Sequence, residues 1–164
     1  MNIHVNTDPF PFLIIEDLYT EDELTLIWQE LDYYQSNSYI LNANTNPSLS
    51  EDGKERTKKQ GNFVDNVFQK REYSNILCLS RKLFQPGLIV NSDHIKEWKY
   101  LRPDIDHSLL SYYDDGAYYL PHHDNTVVSI ISWLWKEPKR FEGGDFVFED
   151  LSLIHISEPT RPPE

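Results

Sequence analysis

The stretch that most constrains this chain is residues 109–124, LLSYYDDGAYYLPHHD, in which aromatic pairs surround a tight turn and precede a His-His-Asp cluster. Within it, His122 and Asp124 are separated by one residue. Alternate residues of an extended strand project from the same face, so this spacing predicts that the two side chains converge. An imidazole and a carboxylate are two of the three ligands of a 2-His-1-carboxylate metal site. The rest of the chain then has to supply the third ligand and the scaffold.

Composition limits the class of protein. A chain of 164 residues with 39% hydrophobic residues can fold as one soluble domain with its own core. The formal net charge of −12 disfavours non-specific binding to nucleic acid or to an anionic membrane surface. No signal peptide opens the sequence and no apolar run reaches membrane-spanning length, so we expect a cytoplasmic protein without membrane association. The single cysteine, Cys78, lies in an apolar run and is expected to be a small buried hydrophobe.

The first half of the chain is predicted to be scaffold. Residues 9–15 are bounded by proline and rich in β-formers, which indicates an edge strand. Thr20 and Glu23 have the spacing of a capping box, and the apolar residues after them recur with helical periodicity, which predicts an amphipathic helix. A second apolar helical pattern covers residues 74–83.

A polar stretch at residues 35–60 separates these two helices. Its Asn, Ser, Thr, Pro and Gly content predicts a long surface loop. Acidic residues are interspersed with its basic ones, so we interpret the basic cluster as solvated surface rather than as a nucleic-acid site. The basic residues are Lys54, Arg56, Lys58 and Lys59.

The second half has a different pattern, in which short aromatic and β-branched runs alternate with turns. The turn at residues 114–116 lies between two strand-like runs and predicts a β-hairpin. Residues 126–135 (TVVSIISWLW) are expected to form a well-buried strand, and a Gly-Gly-Asp turn leads into another strand at residues 146–148. Two helices followed by several short antiparallel strands indicate an α+β fold in which helices pack on a β-sandwich or jelly roll.

Four sequence elements together resemble a known enzyme family. They are YDDG at residues 113–116, Tyr119, PHHD at 121–124 and FEGGDF at 141–146. In this order they resemble the Fe(II)/2-oxoglutarate-dependent dioxygenases of the prolyl 4-hydroxylase type, in which a Tyr-x-x-Gly-x-x-Tyr-x-Pro-His-x-Asp stretch leads to the iron site. The resemblance covers roughly residues 107–150, and the capped N-terminal helix is similar to the family's helical support. It implies a double-stranded β-helix (jelly-roll) core with N-terminal supporting helices, incomplete at the C-terminus.

The resemblance assigns roles to individual residues. His122 and Asp124 match the first two iron ligands, and Tyr113 lies where many members contact 2-oxoglutarate through a tyrosine hydroxyl. Tyr119 is a second candidate for binding that co-substrate. His123 falls between the ligands, so its side chain is expected to point the other way. The implied cofactors are Fe(II) and 2-oxoglutarate, with ascorbate as an accessory reductant that some such enzymes use.

The implied activity is hydroxylation of a prolyl or other peptidyl side chain, or of a small molecule, with succinate and CO2 as co-products. The family places a second histidine, and then an Arg or Lys for the far carboxylate of 2-oxoglutarate, on later strands. Here the only histidine after Asp124 is His155, with Arg161 six residues beyond it, which is closer than the family's spacing. We therefore expect the printed chain to lack both groups and to bind iron weakly.

The local sequence gives a reason for this departure. Residues 151–161 read LSLIHISEPTR, and all eleven match the in-frame translation of a transposase-type sequencing adapter. We accordingly expect a partial dioxygenase domain at residues 1–150 and a non-native tail at residues 151–164, which removes His155 as a ligand. A nucleotide sequence unlike that adapter would contradict this expectation.

Two alternatives remain open. One is a non-catalytic jelly-roll module that binds a small molecule or peptide without turnover. The other is a zinc hydrolase that uses His122, His123 and Asp124, which is disfavoured because adjacent side chains of a strand point to opposite faces. The expected partners are a small-molecule or peptide substrate, with neither nucleic acid nor membrane.

Overall fold

Helices and short antiparallel strands form a mixed α+β structure in the part of the chain that the computed structural model describes, residues 1–42, 53, 55–148 and the backbone of 149 and 154–157. The helices are α1 (Glu21–Ser36), α2 (Ser38–Asn42) and α3 (Asn75–Leu79). The strands are β1 (Asn2–Asn6), β2 (Phe12–Glu16), β3 (Thr57–Lys58), β4 (Gln60–Phe63), β5 (Leu109–Tyr112), β6 (Tyr118–Tyr119), β7 (Phe146–Glu149) and β8 (Ile154–Ser157). They pair as β1–β2, β3–β6, β4–β5 and β7–β8, all antiparallel.

The chain divides into two compact units, Met1–Leu120 and Pro121–Glu164. The first unit contains the three helices and strands β1 to β6, and the second contains β7 and β8. Among the described residues, no helix is long and apolar enough to cross a bilayer.

Helix α1 begins where the sequence predicts. The Thr20 hydroxyl accepts from the Glu23 backbone N–H at 3.3 Å, and the Glu23 carboxylate accepts from the Thr20 N–H at 2.8 Å. This reciprocal pair satisfies two of the N–H groups that a helix start leaves without a partner. Lys82 donates to the same carboxylate at 2.7 Å, and this bond is the largest of the effects that lower the pKa of Glu23. The predicted capping box is confirmed.

The core of the first unit lies between α1 and the elements that pack on it. It is built around the fully buried side chains Tyr34, Leu41, Val64 and Leu77. Glu30 is also buried, and its carboxylate accepts from Tyr34 Oη (3.1 Å), Ser74 Oγ (2.6 Å) and the Ile76 N–H (3.1 Å). Ser74 in turn caps α3 by accepting from the Leu77 N–H at 3.0 Å. The buried carboxylate therefore has the hydrogen bonds that its burial demands, and it connects α1 to the start of α3.

The segment that contains the turn at 114–116 pairs with residues 57–63, not with itself. β5 pairs with β4, and β6 pairs with β3, so Gln60 lies opposite Tyr112 and Thr57 lies opposite Tyr119. The turn is present, closed by a 2.9 Å bond from the Ala117 N–H to the Asp114 carbonyl. The turn connects β5 and β6, which do not pair with each other but with two strands of one neighbouring segment. The prediction of a hairpin across the turn is therefore wrong. A turn motif specifies only a local change in chain direction. Which strands pair depends on which backbone N–H and C=O groups lie next to each other in the folded chain.

Tyr112 connects this ladder to the helical layer and provides a pH-dependent prediction. Its hydroxyl donates to the Leu31 carbonyl at 2.7 Å, and burial, with a smaller contribution from Asp32, raises its pKa to about 12. The unfolded chain has an ordinary tyrosine pKa of about 10, so both states keep the proton below that pH. Between pH 10 and about 12 the unfolded state releases the proton first, and the stabilisation is lost.

We expect the stability advantage of the wild-type chain over Tyr112→Phe to be constant from pH 7 to about 9 and to shrink from about pH 10 upward. Urea denaturation of both proteins across this range measures it. If the difference in free energy of unfolding between the wild-type chain and Tyr112→Phe stayed constant through pH 12, burial would not raise the pKa of Tyr112 as described.

Three expectations about the helical layer need correction. The stretch at residues 35–60 is not only loop, because it contains helix α2, whose Leu41 is 2% exposed and belongs to the core. Residues 43–52 and 54 lie outside the described residues, so the rest of that prediction is untested. The helix predicted at residues 74–83 is present as α3, but it continues as the 3-10 helix Ser80–Phe84. Cys78 is exposed and not buried, because α3 turns Leu77 towards the core instead.

The prediction of a buried strand at residues 126–135 is wrong. These residues form no strand, and Val127 and Trp133 are 81% and 45% exposed. Their β-branched and aromatic side chains favour strand structure, but propensity does not provide the neighbouring strand that a ladder needs. The strand predicted after the Gly-Gly-Asp turn is confirmed as β7, which follows Gly143 and Gly144, both at positive φ (76° and 86°).

β7 pairs with the backbone of β8, which lies within the segment expected to be non-native. Residues 151–153 and 158–164 of that segment lie outside the described residues. The expectation that it is foreign to the protein therefore stays a prediction.

Candidate metal site and tyrosine–lysine cluster

His122 and Asp124 converge as their spacing predicts. His122 Nε2 lies 3.2 Å from Asp124 Oδ1, and the two side chains are 27% and 49% exposed. The backbone of residues 121–124 is irregular, not a strand, so the expected element is absent although the convergence is observed. His123, between them, is exposed.

One hydroxyl group contacts the Asp124 carboxylate, and a second hydroxyl group contacts the first. Ser129 Oγ donates to Asp124 Oδ2, and it also hydrogen bonds to Thr126 Oγ1 at 2.8 Å. One carboxylate oxygen thus contacts the imidazole while the other is held by the serine. Hydrogen-bonded partners of this kind position ligating carboxylates in metal sites. Neither hydroxyl was predicted from the sequence, because a serine five residues beyond an aspartate carries no recognisable spacing signal.

The donor atoms fit adjacent positions around one metal ion. Two donors that are each about 2.1 Å from an ion and at right angles to each other are about 3 Å apart. The 3.2 Å separation of His122 Nε2 and Asp124 Oδ1 is close to that value. Within the described residues, no third His, Cys, Asp or Glu joins them to make a group able to hold a metal. The assignment of His122 and Asp124 as metal ligands therefore stays a prediction.

Tyr113 and Tyr119, the predicted co-substrate residues, lie in the first unit and meet around a lysine. Lys59 Nζ lies 4.7 Å from the centroid of the Tyr119 ring and 5.6 Å from that of the Tyr113 ring. It also donates to Ser111 Oγ at 2.7 Å. We call Lys59, Ser111, Tyr113 and Tyr119 the lysine cluster. The interpretation of the basic residues as solvated surface fails for Lys59, which is partly buried.

The lysine cluster lies on the side of the β4–β5 ladder away from the helices. Leu110 packs on the core and Tyr112 bonds to α1, so these alternate residues face the helical layer. Ser111 and Tyr113 project to the opposite face, where Tyr113 is 54% exposed. Glycine is needed at 61, opposite Ser111, because a Cβ there would lie 2.5 Å from the Leu110 carbonyl oxygen.

Burial raises the pKa of Tyr113, and the neighbouring Tyr119 raises it further. Both effects disfavour the phenolate, so the Tyr113 hydroxyl keeps its proton at neutral pH and can donate a hydrogen bond.

The structure thus groups the four predicted site residues into two pairs, one in each unit. His122 and Asp124 form the candidate metal pair, and Tyr113 and Tyr119 flank Lys59. The histidines expected to be structural are outside both. His107 stacks edge-on against Phe63, with ring centroids 6.2 Å apart, and the His94 N–H bonds to Ser92 Oγ at 3.2 Å.

Comparison of the chain with protein-family models, with curated proteins and with solved structures finds no match in any of the three.

Proposed function

We propose that this chain is part of an Fe(II)- and 2-oxoglutarate-dependent dioxygenase of the prolyl 4-hydroxylase type, with a jelly-roll core. The observation that carries the proposal is the 3.2 Å convergence of His122 Nε2 and Asp124 Oδ1 at the Pro-His-x-Asp position. His122 and Asp124 would hold the iron, with Ser129 fixing the carboxylate. The third ligand would come from outside the described residues.

Iron bound there would supply the oxidative chemistry in which O2 is the oxidant: one of its oxygen atoms would enter the succinate formed, with CO2, from 2-oxoglutarate, and the other would hydroxylate a substrate C–H bond. The residues of this chain have simpler tasks. Ser129 holds one oxygen of Asp124 so that the other faces His122. The resemblance assigns a co-substrate contact to Tyr113, whose hydroxyl keeps its proton because burial raises its pKa. The substrate would be a prolyl or other peptidyl side chain or a small molecule.

A binding comparison tests the proposal. 2-Oxoglutarate can chelate a metal through its 2-oxo acid group, whereas glutarate has the same carbon chain and both carboxylates but no oxo group. In a protein completed with the two groups that the printed chain is expected to lack, we expect Fe(II), under anaerobic conditions, to tighten binding of 2-oxoglutarate at least tenfold, with a visible charge-transfer band, and to leave glutarate unaffected. His122→Ala should abolish the gain.

The alternative, a non-catalytic binding module, predicts a different result. Such a module would bind its ligand equally with and without metal, because no chelate forms. In the completed protein, equal affinity for 2-oxoglutarate in the presence and absence of Fe(II), measured by calorimetry, would therefore overturn the dioxygenase proposal.

A further inference from the structure

Strand β1 forms an outer edge of the two-stranded sheet that it makes with β2. Among the described residues β1 pairs with β2 alone, so no strand lies beside its other edge. It is also the more exposed strand, since three of its five residues are exposed whereas all five of β2 are partly buried. A sheet of only two strands is marginally stable in water, and further strands stabilise it. We propose that β1 pairs antiparallel with β1 of a second copy of this chain, which joins the two sheets into one of four strands.

The sequence of β1 is self-complementary. It reads Asn-Ile-His-Val-Asn, which is nearly the same in both directions. Two antiparallel copies related by a two-fold axis at His4 place Asn2 opposite Asn6. The same register places Ile3 opposite Val5, and each pair occurs twice, because in a two-fold contact residue i meets j and j meets i. A shift of one residue would instead set Ile3 beside Asn6, so the pattern of apolar and polar residues specifies the symmetric register.

The pairing extends the apolar face of the β1–β2 sheet across both copies. Ile3 lies opposite Ile15 of β2 in the existing register, and Val5 lies opposite Leu13. In the four-stranded sheet each of two rows runs through four aliphatic side chains, which are Ile15 and Ile3 of one copy, then Val5 and Leu13 of the other. Directly opposite side chains of this kind stabilise a sheet. Val5 is 47% exposed, so the contact removes apolar surface from water.

The charge of the chain favours this contact over others between two copies. The formal net charge is −12, so two copies repel each other, yet β1 contains no Asp, Glu, Lys or Arg. Asn2, His4 and Asn6 share its polar face, where amide groups and a neutral imidazole can each donate and accept hydrogen bonds. Glu16, which contacts His4 at 3.3 Å, belongs to β2 and so lies on the side away from the second copy.

β1 also lacks the features that keep an edge strand from pairing. Proteins protect such edges with lysine, with proline or with a β-bulge. β1 has neither residue type, and its register with β2 is continuous over all five residues. The strand therefore presents a regular backbone edge to the second copy.

A matched pair of lysine substitutions tests the contact. Val5→Lys should weaken dimerisation at least about tenfold, because symmetry introduces two ammonium groups into the apolar rows. Leu26→Lys is the control, since Leu26 is 41% exposed on α1 and its replacement changes the net charge equally. Sedimentation equilibrium of the full chain, from low micromolar to millimolar concentration, measures each monomer–dimer equilibrium. We expect a weak wild-type dimer, because a contact of one short strand per copy is small for a protein interface.

Cysteine substitutions test the register and keep the aliphatic rows intact. They are made with Cys78→Ser, which removes the exposed native thiol. In the symmetric register His4→Cys places two thiols directly opposite each other, within the range of a disulfide. Asn2→Cys places its two thiols four residues apart along the strands, about 13 Å. Oxidation with copper–phenanthroline should therefore link His4→Cys into a covalent dimer and leave Asn2→Cys largely monomeric on a non-reducing gel.

The combined outcomes decide the proposal. Dimerisation that is lost in Val5→Lys and kept in Leu26→Lys, with crosslinking specific to His4→Cys, would support it. A wild-type chain that stays monomeric at millimolar concentration would overturn it, and so would a dimer that both lysine variants affect equally. Equal crosslinking of His4→Cys and Asn2→Cys would overturn the two-fold register. Circular dichroism of each variant checks that the fold is kept, and no measurement requires iron or 2-oxoglutarate, so the outcome is independent of the proposed function.

Discussion

Replacing Asp124 with alanine is expected to abolish measurable Fe(II) or Co(II) binding by the chain. The substitution removes one of the two converging donor atoms, 3.2 Å apart, and leaves a single imidazole. One neutral nitrogen cannot replace a site whose hard carboxylate oxygen also neutralises charge. His122→Ala should have an equally large effect. Anaerobic titration with Co(II), monitored by its visible spectrum, measures the loss.

The adjacent histidine is the control for this prediction. His123 is exposed and lies between the two proposed ligands, so His123→Ala should change metal affinity little. An equal loss in His123→Ala and His122→Ala would instead favour the alternative site that uses both histidines with Asp124.

Ser129→Ala tests the positioning of the carboxylate. Ser129 contacts Asp124 through Oδ2, whereas Oδ1 faces His122. Loss of such an outer partner typically weakens metal binding by about 10- to 100-fold without removing a ligand. Binding that is as weak as in Asp124→Ala would show that the serine does more than orient the aspartate.

The largest expected effect on stability is at Arg71. Its guanidinium bridges Asp65 and Asp106, the latter at 2.9 Å, and the three side chains are 29%, 17% and 19% exposed. Asp65 also accepts from the Ser108 N–H at 2.7 Å, which links residues on both sides of this bridge. Removing the arginine leaves the largely buried Asp65 carboxylate without its cation and Asp106 with Arg81 alone, and loss of one partner of a buried ion pair costs about 3 kcal/mol.

Arg81→Ala is the matched control. Arg81 contacts Asp106 at 2.9 Å, and its side chain is 53% exposed. An exposed ion pair contributes less than about 1 kcal/mol, so this variant should stay close to the wild type. Urea denaturation of both variants gives the two free energies of unfolding. Equal losses would contradict the bridging role of Arg71.

Short-range features were predictable from the sequence. The capping box of Thr20 and Glu23, the turn at 114–116 and the contact between His122 and Asp124 all join residues at most three positions apart. Their geometry depends on a few backbone angles, so the residue types and spacing suffice to predict them.

Features that join distant residues were not predictable. Residues 57–60 were placed in a polar loop, yet they supply β3, which pairs with β6, and the first residue of β4, which pairs with β5. Residues 126–135 have the composition of a buried strand, yet they form none. Strand pairing depends on which segment comes alongside, and composition does not specify that neighbour.

Lys59 shows the same difference between short-range and long-range features within the candidate site. The sequence by itself determined the local convergence of His122 with Asp124 and the candidate role of Tyr113. Only the tertiary structure decided that Lys59 lies beside Tyr113 and Tyr119 and binds Ser111, a residue 52 positions away. The physical reason is that side-chain spacing along one segment follows from local backbone geometry, whereas contact between two segments depends on the packing of the whole core.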